Sequence, residues 1–162
     1  MAWTTPKTWV DNVDVLSATN LNTHVRDNLD ALQTWTSWTP TWTATGGTPT
    51  LGNGTLTGSY IAYGDFCTFQ MSLVLGSTTS LGTTTVWAFS LPVTASGAND
   101  VFAAYVHDAW TGIYPAVGIG LITTVQLRAV SGGTVGYNTP FTWVSGDGLA
   151  ISGTYRTRAA RP

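Results

Sequence analysis

Between Phe66 and Leu75 every second residue is apolar. Cys67, Phe69, Met71, Leu73 and Leu75 point one way, and Thr68, Gln70 and Ser72 point the other. Side chains alternate between the two faces of a strand, so this stretch is a strand with one face in a core and the other wet or interfacial. The same period of two runs through Thr36–Thr45, where Trp38, Pro40, Trp42 and Ala44 alternate with threonines. Pro40 has no N–H to give, which sets that strand at an edge or at a strand start. Thr55–Tyr63 and Phe66–Leu75 predict a hairpin across Gly64-Asp65. Further strands are expected over Val86–Leu91, Val101–His107, Ala116–Ile119, Thr123–Val130 and Leu149–Arg156, the last two as neighbours in space. Short strands joined by Gly-rich turns predict a mainly β domain, an antiparallel sandwich or jelly-roll-like barrel.

One stretch breaks the alternation. Ser17–Trp35 reads as a helix: Ser17 can cap it, and Ala18, Leu21, Val25, Asn28, Leu32 and Trp35 recur at steps of three and four. That is an a/d seam, narrower than the stripe of an ordinary surface helix. A lone helix of this length is marginal in water, so the seam calls for a partner, and a second copy supplies one. Asn28 on the seam reads as a register pin, a buried amide that penalises misaligned assemblies. The plainer alternative has Leu29 facing the partner, Asn28 solvated and the helix packed on its own β domain. Before the helix, residues 1–16 form an extended lead carrying Trp3, Pro6 and Trp9, large apolar residues suited to docking.

Charge narrows the function classes. Only 9% of residues are charged, there is no Glu, Lys7 is the only Lys, and Thr contributes 30 of the 162 residues. Such an uncharged surface suits packing within a larger particle or contact with sugars. Arg156, Arg158 and Arg161 cluster without stacking aromatics, a weak signal for nucleic acid. No apolar run approaches the ~18 residues of a membrane span. The start, MAWTTPKTW, has no apolar core of a secretory signal, which predicts synthesis in the cytoplasm. Cys67, the single cysteine, reads as a small buried hydrophobe.

Catalytic constellations are poorly represented. Asp65 and Asp147 sit in Gly-flanked turns, a structural place for Asp. Asp100 and Asp108 would have to meet by folding to serve as a carboxylate pair. His107 and Asp108 are adjacent on a strand and so point to opposite faces. Two His and one Cys are not spaced for zinc. The expectation is no enzyme, no metal and no cofactor. Trp110, Tyr114, Tyr137 and Trp143, in or near loops with Thr, Asn and Asp neighbours, are instead candidates for glycan contact.

Several motifs are familiar together. The opening TWVDNVDVLSATNLNTHVRDNLDAL carries Leu21-Asn22 and Arg26-Asp27-Asn28-Leu29. After it come Trp38-Thr39-Pro40, Leu51-Gly52-Asn53-Gly54-Thr55, Gly58-Ser59-Tyr60 and Phe89-Ser90-Leu91-Pro92. Over about residues 8–92 the chain resembles small tail and virion proteins of bacteriophages that infect actinobacteria. The resemblance implies a homotrimeric virion fibre or spike, a short N-terminal helical bundle followed by a β domain, on tail or capsid. The expected organisation is 1–16 as an anchoring arm toward other virion proteins, 17–36 as a trimerisation helix and 37–162 as the β domain, with a tail fibre on the virion as the expected role. Residues 93–162 would point outward to a host glycan. Two alternatives remain open: a capsid decoration or head fibre without a specific ligand, and a lectin-like carbohydrate-binding module.

Overall fold

The computed structural model describes residues 4, 7–10, 13–32, 34–83 and 86–158. Among these residues nine strands form a single sheet: β1 (Thr36–Trp38), β2 (Trp42–Ala44), β3 (Thr55–Tyr63), β4 (Phe66–Val74), β5 (Trp87–Ser90), β6 (Val101–Asp108), β7 (Gly112–Gly120), β8 (Thr124–Ala129) and β9 (Gly148–Arg156). Their order across the sheet is β1-β3-β4-β9-β6-β7-β8-β5-β2, and every neighbouring pair is antiparallel. The mainly β, antiparallel expectation therefore holds, in the form of one curled sheet.

The curl follows from connectivity. β1 and β2 lie at opposite edges, yet only residues 39–41 separate them. Eight strand spacings would hold the edges of a flat sheet ~38 Å apart. Three linking residues reach at most ~14 Å. The sheet must bend until its edges nearly meet. Pro40, buried between the two strands, is where the segment stops pairing with β3 and passes to β5.

The inward face is the core. Phe69, Met71 and Leu73 of β4 meet Phe102 and Val106 of β6, Leu149, Ile151 and Tyr155 of β9, and Trp87 and Phe89 of β5. Cys67 is fully buried there, and burial pushes its thiol pKa up. The Tyr155 phenol, raised mainly by burial, donates to the Val93 carbonyl at 2.7 Å. Phe102 has a shaped seat. A Cβ added at Gly153 would lie 2.5 Å from its ring, and one at Gly120 3.0 Å from it. Phe69 meets the same ring edge-on, with centroids 5.0 Å apart.

Strand directions give the domain two unlike ends. Turn 64–65 and connections 91–100 and 121–123 lie at one end; loops 45–54, 75–83, 109–111 and 130–147 lie at the other. The helical region enters β1 from the side of Tyr60 and touches β3, which puts it at the first end. The far loops brace one another. Asn53, from the Leu-Gly-Asn-Gly-Thr motif, accepts from the Thr78 N–H at 2.9 Å and donates to Ser77 Oγ at 3.0 Å.

Three expectations need correction. β8 and β9 are not neighbours, because β6 and β7 lie between them. β7 begins at Gly112 rather than at Ala116; Pro115 is tolerated within it, paired opposite Tyr105. The helix is shorter than Ser17–Trp35. It runs as an α turn α1 (Ala18–Leu21), a π-helical segment (Asn22–Arg26) and α2 (Asp27–Ala31), with Leu32 as its C-cap. Trp35 lies beyond it, directly before β1.

Candidate functional site

The helical region is built inside out. Its apolar residues Leu21, Val25, Leu29 and Leu32 are all exposed, Leu29 at 54%, while its buried side chains are Asn28 and Ala31. Ser17 Oγ caps the start by accepting from the Asn20 N–H at 3.2 Å. The π segment, marked by the Asp27 N–H donating to the Asn22 carbonyl, fits an extra residue into one turn. That moves the outward stripe from the expected 21-25-28-32 to 21-25-29-32. Leu29 occupies the place read for Asn28, and Ala18 continues the exposed side.

Asn28 turns toward its own chain. Its Oδ1 accepts from the Thr4 N–H at 2.9 Å and from Thr4 Oγ1 at 3.1 Å. Its Nδ2 donates to the carbonyls of Thr4 at 2.9 Å and His24 at 3.2 Å. Both amide protons and the oxygen's two acceptor positions are used, so the side chain registers the lead against the helix. It has nothing left for another copy. Asn28→Leu should therefore release Thr4, costing about 1–3 kcal/mol for the stranded groups. Limited proteolysis should cut the lead faster, while light scattering should give an unchanged particle mass. A changed mass would restore the register-pin role.

Among its described residues, 7–10 and 13–14, the lead turns back on itself rather than running straight. The Val10 carbonyl accepts from the Val13 and Asp14 N–H groups, and Lys7 pairs with Asp14. The hydrogen bond from Lys7 holds the Asp14 carboxyl below its usual pKa range. Lys7 Nζ also sits 5.2 Å from the ring centre of exposed Trp9. Of the other two anchoring candidates, Trp3 and Pro6 lie outside the described residues.

Asp100 and Asp108 flank opposite ends of β6, an eight-residue strand, which parts them by more than ~20 Å. Asp108 closes the β6–β7 turn: Oδ2 accepts from Thr111 Oγ1 at 2.6 Å and Oδ1 from the Trp110 N–H at 3.0 Å. These bonds, the Thr111 hydroxyl first, hold its carboxyl below the usual range. Asp147 is fully buried and ties two loops, accepting from the Ala109 N–H at 2.9 Å and the Val144 N–H at 2.7 Å. Asp147→Ala would strand both donors and should cost about 2–4 kcal/mol, read as a lower urea midpoint. Among the described residues no group of three or more His, Cys, Asp or Glu could hold a metal, and no helix is long and apolar enough to cross a membrane.

The four loop aromatics part company. Trp110 stands at the β6–β7 turn, 84% exposed, and Tyr137 is exposed on loop 130–147. Tyr114 is half-buried against Phe141, with ring centroids 5.2 Å apart. Trp143 belongs to the core: it is 6% exposed, packs on Trp87 and Phe141, and donates its Nε1–H to the Gly136 carbonyl at 2.7 Å. No ring face of Trp143 is left for a ligand. Phe141-Thr142-Trp143 alternates apolar and polar, but over three residues beside Val144, too short a run to mark Trp143 as inward. Comparison of this chain with protein-family models, with curated proteins and with solved structures gives no match.

Proposed function

We propose that this chain is a bacteriophage virion structural protein, a homotrimeric tail fibre or spike that contributes to attachment at a glycan-bearing host surface. The observation that carries the reading is the outward stripe Leu21, Val25, Leu29 and Leu32. Among the described residues the stripe stays exposed, and three copies of the helix would bury it in a short bundle. The resemblance over residues 8–92 favours the same assembly. So does the polarity of the domain, with lead and helix at one end and the long loops at the other. In this reading the lead joins other virion proteins, and the curled sheet serves as a jelly-roll-like sandwich carrying a non-catalytic binding surface. Three sites on one stalk turn weak contacts into useful avidity.

The test is the mass of the purified protein by light scattering. A species at three times 17.1 kDa is expected. A single species of 17.1 kDa would overturn the fibre reading and leave a lectin-like module.

A further inference from the structure

Part of the outward face of the sheet is made of small side chains. Along β9 from Gly148 to Thr154 it carries Gly148, Ala150, Ser152 and Thr154, nothing larger than threonine before Arg156 at the strand's end. On the adjoining strand β6, Ala103 is equally small. The result is a groove of 610 Å³ across β3, β4, β9 and β6. Register sets Ser59, Gln70 and Ser152 in one row and Thr57, Ser72 and Tyr105 in the next. A second hollow of 280 Å³ shares Ser72 and Tyr105 and continues past His107 and Ile113 toward the loop end.

The chemistry of the main groove is specific. No charged side chain lines it. Gln70 Nε2 donates to Ser59 Oγ at 3.1 Å, and among the described residues the hydroxyls of Thr57, Ser72, Ser152 and Tyr105 bond to nothing. Tyr105, 44% exposed, gives the groove an aromatic ring.

We propose that this groove binds a neutral oligosaccharide, with the Tyr105 ring against the apolar face of a sugar and the free hydroxyls meeting its edges. The assignment rests on the attachment reading for the source of the ligand, and it places the contact on the sheet rather than in the loops. Other occupants fit less well. Protein interfaces are depleted in Ser and Ala at their cores and enriched in aromatics and Arg, the reverse of this lining. A peptide adding as a strand needs an open edge, and β4, β9 and β6 are each paired on both sides. An anionic polymer would find no cation in the lining.

The full chain would be titrated with neutral hexasaccharides of glucose, mannose, galactose and N-acetylglucosamine while amide NMR spectra are recorded. Saturable shifts at Ser72, Tyr105 and Ser152 with at least one probe are expected. Tyr105→Ala should weaken binding about tenfold. Ser152→Leu, which fills the groove, should abolish it. Ala103→Leu fills the same space from another strand, so loss in both variants with unchanged thermal unfolding separates blockage from misfolding. No shift in the groove with any probe would overturn the assignment, as would stronger binding of polygalacturonate. Shifts confined to residues 109–111 and 130–147 would overturn the groove and leave attachment standing. Groove binding by a 17.1 kDa monomer would uphold the groove and overturn the fibre.

Discussion

Phe102→Ala should lower the stability of the sheet by about 3–5 kcal/mol, the largest single loss expected in the domain. The size of the effect comes from the seat. The ring is held by glycines at 120 and 153, which have no side chains that could swing into the space it leaves. Phe69 and Tyr155, both in edge contact with it, would each lose a partner. The strands around the hole are paired on both sides, so the backbone cannot collapse to fill it. Urea unfolding followed by tryptophan fluorescence would give the loss as a lower midpoint. A change under 1 kcal/mol would mean that the seat closes after all.

Val25→Asp together with Leu29→Asp should convert the proposed trimer to a 17.1 kDa monomer with its sheet intact. Each buried apolar side chain contributes about 1.5–3 kcal/mol to a bundle, and the double variant removes that from every copy. It also asks six carboxylates to enter one seam, at a cost of several kcal/mol per ion. Both positions are exposed in the single chain, so a monomer tolerates the charges. Light scattering reads the mass, and near-ultraviolet circular dichroism reads the packing of the tryptophans. Trimers that persist would show that the β domains hold the copies together.

The strands were legible because large-in, small-out alternation is a local signal. β3, β4 and β9 begin and end within a residue or so of where that alternation begins and ends. Their neighbours were not legible. Nothing local tells β8 that it pairs with β7 and β5 and not with β9. The helix shows the same limit in small. Its existence follows from spacing, but a single π turn moves the stripe by one residue. Only the hydrogen bond from Asp27 back to Asn22 reveals that shift. Asn28 looked like a seam residue because its partner, Thr4, stands 24 positions earlier on a segment without period. The outer groove was half visible. Thr68, Gln70 and Ser72 marked a polar face on β4, but the groove also needs Tyr105 from β6 and the small residues of β9.

The position of β9 has a consequence for synthesis. It is made after the other eight described strands, yet it stands between β4 and β6 and joins the two halves of the sheet. A nascent chain that has not reached Gly148 holds β1-β3-β4 and β6-β7-β8-β5-β2 with no strand to join β4 to β6. At ~5–20 residues per second the helix leaves the ribosome many seconds before the sheet can close. In the proposed trimer, chains would therefore be able to meet through their helices before their β domains exist. A ribosome that stops short of β9 would then leave a chain able to enter that assembly but unable to complete its own sheet.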